Sequence, residues 1–421
     1  MRPGLVIPFR RESAPATPAE VRPLDRWLGR HLQGTLAPVH VGLRLWDDGP
    51  AGECREPIGE LVVGDRRTLV GLIVHPELYF GETYTSGRLH VRGELGRVVE
   101  ALSRIRTPST PSLIERLGLW LTPANSERAA RRNIHHHYDL SNDFYQRWLD
   151  PDLVYTCACY PHPGATLEEA QAQKLDLVCR KLGLRPGETV VEAGCGWGAL
   201  ALYMARHYGA RVKAFNISTE QLAFARERAV RERLTDRVEF IEDDYRSITG
   251  RFDVFVSVGM LEHVGRRRLD AMARVLRRTI DPHRGRGLLH FIGRDHPRLL
   301  NAWIRRRIFP GGYAPSLAEV IARVLEPADL SVLDVENLRL HYARTLSDWR
   351  ARFSAAEPEV ARHFGEAFCR AWRLYLAGSE ASFTTGWLQL FQVVFAPAGG
   401  TAIHWLRPSH AGPARSARAA V

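Results

Sequence analysis

The chain predicts an α/β fold with a mostly parallel sheet, preceded by a small α+β domain. Between Leu167 and Ile292, short β-branched runs alternate with amphipathic stretches of helical period. Such alternation implies parallel strands with helices on both faces. A glycine-rich run, EAGCGWG at 192–198, sits where the first of these strands passes into a helix. Ahead of that region, from Leu36 to Val91, strand-like and helical text with glycine punctuation fills under a hundred residues.

The elements follow in order. Residues 1–29 are rich in Pro, Arg and Ala and predict a disordered basic tail. The small domain is expected over 30–115. PVHVGLRLWDDG alternates like a strand and ends in a D-D-G turn, and TLVGLIVHPELYFGETYTSGRLHVRGELGRVVEALSRI continues with apolar faces. RTPSTPSLIERLGLWLTPANSERAARRNIHHH is a proline-marked connector whose ERLGLWL segment reads as an ordinary packed helix. The larger α/β domain is expected over 116–407. Its helix LEEAQAQKLDLVCRKLGL is stopped by Pro186-Gly187. TVVEA, RVKAFNIS, VEFIEDD, FDVFVSVGM, GLLHFIG and SVLDVENL read as strands, with helices from Ala199, over TEQLAFARERAVRERL and before GLLHFIG. Aromatic-rich helices precede a final strand, LQLFQVVFA, and residues 408–421 form a basic tail.

Composition bounds what such a chain does. Of 421 residues, 45% are hydrophobic and 25% charged, which excludes a wholly disordered protein. No run of ~18 uncharged apolar residues predicts a membrane-spanning helix, and the N-terminus has no apolar signal core. The cysteines are Cys54, Cys157, Cys159, Cys179, Cys195 and Cys369; one C-x-C without a second pair does not make a zinc ribbon, and no metal is expected. The expected compartment is the reducing cytoplasm. The formal net charge is +11, and Lys174, Lys181 and Lys213 are the only lysines among 58 basic residues. That balance favours an anionic membrane surface or nucleic acid. Arginine-rich codon usage accounts for it equally well. No basic-aromatic recognition motif is present, so no nucleic-acid partner is expected.

The glycine run permits a tight turn and close backbone approach of a ligand at a helix N-terminus. There is no GKS or GKT, and the spacing is not G-x-G-x-x-G. The form E-x-G-x-G-x-G resembles motif I of class I S-adenosylmethionine methyltransferases, which implies a Rossmann-like sheet of seven strands. In that fold the second strand ends at a ribose-binding acid. Here FNIS is followed by Glu220 and Gln221, so Asn216 or Gln221 takes the ribose, or they are a plain strand end and a solvated first turn. Tyr245, next to Arg246, offers an aromatic face for adenine or is a surface tyrosine.

Further strings stand out: HYDLSNDFY (137–145), YTCACY (155–160), VGMLEHVG (258–265), LLHFIG (288–293), HYARTLSDW (341–349), YLAGSEASF (375–383) and QLFQVVF (389–395). Together with the glycine run, they resemble the cyclopropane-fatty-acyl-phospholipid synthase family, which includes the mycolic acid cyclopropane synthases. The resemblance is close over about 130–405 and looser over Glu77–Gly93. It implies S-adenosyl-L-methionine as methyl donor, with contacts at Tyr155, Thr156, Gly194, Cys195, Gly196, Trp197, Gly198, Asn216, Ile217, Gln221 and Tyr245 with Arg246. It implies a bound bicarbonate ion as base, held by Cys157, Glu262, His290, the Ile292 backbone and Tyr342. Such chemistry is intelligible: an alkene attacks a sulfonium methyl, and loss of a proton from that methyl closes a three-membered ring in a pocket that excludes water. Glu262 orients the ion by accepting its hydrogen, since a bare carboxylate repels an anion. Ser379 stands where well-known members carry a cysteine treated as catalytic, Asn216 replaces a Thr, Thr156 a Ser and Cys159 an aromatic. The implied reaction is cyclopropanation of unsaturated phospholipid acyl chains; methyl or methylene branching without ring closure is the alternative. The expected setting is the inner membrane face, with peripheral attachment, and the expected partners include a second copy of the chain in a homodimer.

Overall fold

A computed structural model of the chain describes residues 20–105 and 140–400. The chain forms two compact units. The first gathers Met1–Ser112, Leu300–Pro310 and Leu346–Trp387; the second gathers Leu113–Leu299, Gly311–Thr345 and Leu388–Val421.

The first unit holds three strands, β1 (Val41–Arg44), β2 (Gly59–Val63) and β3 (Leu89–Arg92), in that order. β1 and β2 are parallel, and β3 is antiparallel to β2. The D-D-G turn closes β1 as expected, with Leu45 N–H donating to the Gly49 carbonyl at 3.0 Å. Helices Arg66–Val74, Pro76–Ser86 and Leu95–Ser103 complete the N-terminal segment. Asp65 caps the first by accepting from Thr68 N–H, a satisfied first-turn donor. The expectation of a disordered tail through residue 29 is corrected, because helix Pro23–Leu36 begins six residues earlier. Pro23 presets its first turn, and buried Asp25 accepts from Arg22 N–H and from Arg66. Composition does not encode the Asp25–Arg66 contact, which joins residues 41 apart. The 1–19 part of that tail, ERLGLWL with its connector, and the 408–421 tail lie outside the described residues.

The 116–407 domain expected from sequence is interrupted. Segments 300–310 and 346–387 pack within the first unit. Arg307 forms a two-pronged pair with Glu82 at 2.8 and 2.7 Å. Arg370 donates to the Thr85 carbonyl at 2.9 Å, and Trp387 Nε1–H donates to the Ser103 carbonyl at 2.6 Å. A Cβ on Gly81 would strike the Trp303 ring at 2.3 Å, which is why glycine stands there. The boundary between the units falls inside helix Arg339–Phe364, and helix Glu366–Thr385 follows it.

The second unit is built on seven strands: β4 (Thr189–Ala193), β5 (Arg211–Asn216), β6 (Val238–Glu242), β7 (Val254–Val258), β8 (Arg286–Gly293), β9 (Leu330–Asn337) and β10 (Gln389–Pro397). Their spatial order is β6-β5-β4-β7-β8-β10-β9. The first five are mutually parallel, and β10 runs antiparallel between β8 and β9. Strand side chains alternate between faces, and here both faces are apolar. Val190, Val254 and Leu288 pack with Leu175, Val178 and Met204 on one side. Val191, Phe255 and Leu289 pack with Met272 and Leu276 on the other. Helix Leu167–Lys181 starts at a Thr166–Glu169 capping box and ends ahead of Gly183 and Pro186, as the sequence predicts. Because β4, β5, β6, β7 and β8 are parallel, their C-terminal ends share one sheet edge, where open α/β folds bind ligands.

Candidate active site

The glycine run forms the turn between β4 and helix Ala199–Tyr208. Gly194, Gly196 and Gly198 all have positive φ, at 83°, 53° and 82°. A Cβ on Gly194 would meet Met260 at 2.7 Å, and one on Gly198 would meet Phe240 at 2.7 Å. At Gly196 a Cβ would meet nothing within 4 Å, so the space beside that backbone is open. Gly194 and Cys195 N–H groups both donate to the Phe215 carbonyl, which docks the turn on the end of β5.

Around this opening the predicted contacts assemble. Asn216 Nδ2 donates to the Gly196 carbonyl at 3.2 Å and to Gln221 Oε1 at 2.8 Å, while its Oδ1 accepts from Ile217 N–H. Asn216 is therefore spent on holding the turn. Gln221, whose Oε1 accepts from Asn216, stands beside it at the end of β5, so the two residues expected at the ribose lie together. Trp197 Nε1–H donates to Asn142 Oδ1 at 2.7 Å, and its ring lies 5.0 Å from Tyr145, itself 5.4 Å from Tyr155. These contacts bring LSNDFY and YTCACY to the turn; His137–Asp139 of the first string lie outside the described residues. Thr156 Oγ1 accepts from Lys174 Nζ at 2.9 Å. Tyr245 is not a surface residue: it is 9% exposed, and the Arg246 guanidinium sits 5.4 Å from its ring centre while bonded to Asp244. Beneath the turn, burial pushes the Glu192 carboxyl up and the Lys174 ammonium down, and Glu192 Oε2 has no partner among the described residues.

The second cluster lies at the end of β8. Glu262, in the short helix Leu261–Val264, accepts from Ile292 N–H at 2.5 Å through Oε1. Its Oε2 is buried without a partner among the described residues, and burial pushes its pKa up to about 7. His290 lies two residues before Ile292 on the same strand face. Its Nε2 is likewise buried and without a partner among the described residues. Burial and the ammonium groups of Lys174 and Lys181 hold its imidazole well below the ordinary histidine range, so the ring is neutral. Leu390, paired with Ile292, accepts from Leu338 N–H at 2.8 Å. The Leu338 carbonyl in turn accepts from Tyr342 N–H and, at 3.9 Å, from the Cys157 thiol. Glu262, His290, Ile292, Tyr342 and Cys157 are thus linked through adjacent backbone positions of one sheet end. Burial raises the Cys157 thiol far above the usual range, so it is a thiol donor and not a thiolate. Such a set, with two unpartnered polar atoms in a dry place, suits a small polar ligand.

The sequence profile of the mycolic acid cyclopropane synthetase family matches residues 125–393. The chain belongs to this family. A probable fatty acid methyltransferase of Pseudomonas putida is 37% identical over 377 residues, covering 86% of this chain and 94% of that protein. The cyclopropane-fatty-acyl-phospholipid synthase of Escherichia coli is 42% identical over 261 residues, covering 62% of this chain and 66% of the synthase. Among solved structures, mycolic acid cyclopropane synthase CmaA1 complexed with SAH and CTAB aligns with a TM-score of 0.59 at 31% identity, over 63% of this chain and 97% of that one. The seven-stranded unit therefore has the class I methyltransferase fold.

Ser379 lies in helix Glu366–Thr385 of the first unit. No carboxylate or imidazole among the described residues hydrogen-bonds its hydroxyl. Its neighbour Glu380 is engaged with Arg350 at 2.8 Å. A serine without a base is a weak nucleophile. Ser379→Ala should therefore keep turnover within a few-fold of wild type; loss of nearly all activity with cofactor binding intact would return Ser379 to the catalytic set.

Glu262 also makes stability depend on pH. Its native pKa, about 7, exceeds that of the unfolded carboxyl, so the native state holds the proton longer. Stability is highest below about pH 4.5 for this group and falls as pH rises to about 7, by on the order of 3 kcal/mol. Denaturant titrations at several pH values check this: the wild-type decline across that window should be smaller in Glu262→Gln by most of that amount.

Sequence reasoning passed over Lys174, Lys181, Gln171 and Gln392. Gln171 Nε2 donates to the Val154 and Thr156 carbonyls and fixes the YTCACY loop. A usable signal was present: in a chain whose bases are otherwise almost all arginine, two of the three lysines fall seven residues apart on one helix.

Proposed function

We propose that the chain is an S-adenosyl-L-methionine-dependent methyltransferase that cyclopropanates cis-unsaturated acyl chains of membrane phospholipids. The observation that carries this reading is the pairing of an open glycine cradle at Gly196 with a buried cluster, Glu262 and His290, that leaves two polar atoms for a ligand. When bound, S-adenosyl-L-methionine supplies an electrophilic methyl group. The 194–198 backbone, Gln221 and Tyr155 hold and orient it. Glu262, His290, Tyr342 and Cys157 would hold bicarbonate, which would supply the base, while the Ile292 N–H is taken by Glu262 and seats that carboxyl beside the site. Glu262, whose pKa burial pushes up to about 7, would hold a hydrogen between itself and such an ion instead of repelling it. Buried Trp197, Tyr145 and Trp148 exclude water from the reacting centre.

A second reading, transfer that ends in a methyl branch, is favoured by the name of the Pseudomonas putida relative, a fatty acid methyltransferase. Mass spectrometry of lipids from an expressing host, with double-bond localisation, separates the two. A cyclopropane adds one CH2 and removes the double bond; a methyl or methylene branch left by proton loss adds the same CH2 and keeps a double bond, and a saturated methyl branch, two hydrogens heavier, needs a hydride donor from the host. Unchanged acyl masses would remove both.

Attachment to the inner membrane face is peripheral in this reading. No helix among the described residues is long and apolar enough to cross a membrane. The first unit exposes Leu24 and Trp27 and has a cleft of about 240 Å³ lined in part by Arg67, Arg88, Arg306 and Arg307. Binding to anionic vesicles should exceed binding to neutral ones and weaken with salt. Equal sedimentation with both would count against it.

A further inference from the structure

We infer that Lys181 and Gln392 are positioning residues that lock His290 in one tautomer, with its proton on Nε2 and its N–H offered to the ligand site. The inference rests on the anion-site reading above for its catalytic meaning, but the lock itself stands on geometry.

Lys181 closes helix Leu167–Lys181 and is fully buried. Its Nζ lies 2.5 Å from Glu336 Oε2, 2.7 Å from Gln392 Oε1 and 4.0 Å from Asp334 Oδ2. An ammonium has donors only. The Gln392 amide must therefore turn its oxygen to Lys181, and its NH2 is left facing the other way. Gln392 Nε2 lies 3.0 Å from His290 Nδ1, its direct cross-strand partner on β8. Because that nitrogen receives an N–H, it must be the acceptor of the ring. A neutral imidazole carries one proton, so the proton sits on Nε2. Nε2 is the buried atom without a protein partner among the described residues.

Three consequences follow from this chain of donors. His290 is a fixed hydrogen-bond donor, and its Nε2 cannot remove a proton from a substrate. The base must then be another group, consistent with a bound anion. The carboxylates of Glu336 and Asp334, though remote from Nε2, set its protonation by holding Lys181. The retention of lysine here has a physical reason: a compact ammonium fits between two oxygens at 2.5 and 2.7 Å, where a planar guanidinium would need a wider berth.

Gln392→Glu is the test, read on protein carrying 15N-labelled histidine. In wild type the long-range 15N spectrum should show His290 with Nε2 protonated and Nδ1 as acceptor. The nearly isosteric glutamate brings a carboxylate to Nδ1, draws the proton there and turns Nε2 into an acceptor. Turnover should then fall about 100-fold or more, the loss typical of one preorganised donor, with cofactor affinity unchanged. Lys181→Met should give mixed tautomers, because the amide is free to turn over. A wild-type spectrum with the proton on Nδ1 overturns the lock whatever the variants do, including one that does not fold. If Gln392→Glu flips the tautomer yet turns over at the wild-type rate, the lock stands and the anion-site reading fails, so the two failures are told apart.

Discussion

Glu262→Gln should lower turnover about 10²–10⁴-fold while the methyl donor still binds, the range expected for loss of a group that manages a proton in the transition state. The change is nearly isosteric. Glutamine Oε1 can still accept from Ile292 N–H, so the 2.5 Å contact that seats the side chain survives in kind. What disappears is the second oxygen, which has no partner among the described residues, of a carboxyl whose pKa burial pushes up to about 7. A carboxyl in that state can accept a hydrogen from bicarbonate or give one to it; an amide NH2 can only donate. Removing a buried ionisable group also relieves its cost above pH 7, so the variant should be as stable as wild type or more so at pH 8. Calorimetry for donor affinity, turnover on vesicles and a denaturation curve at pH 8 together check the claim. Wild-type turnover in the glutamine variant would remove Glu262 from the reaction.

Gly196→Val should abolish cofactor binding in a protein that still folds. Valine at φ 53° is strained, because a β-branched side chain in the left-handed region costs on the order of 1–3 kcal/mol. Its Cβ would meet no protein atom within 4 Å, so the fold is not otherwise crowded. It would instead fill the space in which a ligand approaches the turn. A tenfold loss of affinity is about 1.4 kcal/mol, and displacement of a ligand from backbone contact exceeds that several times. Affinity should therefore drop by at least about 100-fold. Gly194 and Gly198 are poorer tests, since a side chain there would strike Met260 or Phe240 and damage the fold itself. Unchanged affinity in folded Gly196→Val would remove the cradle assignment.

The strands and the glycine turn were legible because their signals are local. β7, VFVSV, is apolar at four of its five positions because both sheet faces are covered, and the turn needs its glycines for positive φ. Residues such as Glu262 and His290 were legible only through motif resemblance, since a lone Glu-His after a strand has many uses. Gln392 stood inside a quoted strand string, yet nothing local marks it. Its role depends on β10 being inserted between β8 and β9, which places it opposite His290 and within reach of Lys181. The start of helix Pro23–Leu36 was hidden for a similar reason: Asp25 is anchored by Arg66, 41 residues away. Membership of helix Glu366–Thr385 in the first unit rests on contacts such as Arg370 with Thr85, separated by 285 residues, which no periodicity encodes.

That last arrangement bears on how the chain comes off the ribosome. Synthesis runs from the N-terminus at about 5–20 residues per second, and domains ordinarily fold as they emerge. Here the first hundred residues cannot finish folding on emergence. Glu82 waits for Arg307, Thr85 for Arg370 and Ser103 for Trp387. Leu390 and Gln392 of the inserted strand β10 come later still. Both units therefore complete almost together, only once strand β10 has emerged, with apolar surface awaiting its cover for tens of seconds. A nascent chain halted before residue 387 should be protease-sensitive over residues 20–105, and deleting residues 76–103 would strip partners from Arg307, Arg370 and Trp387.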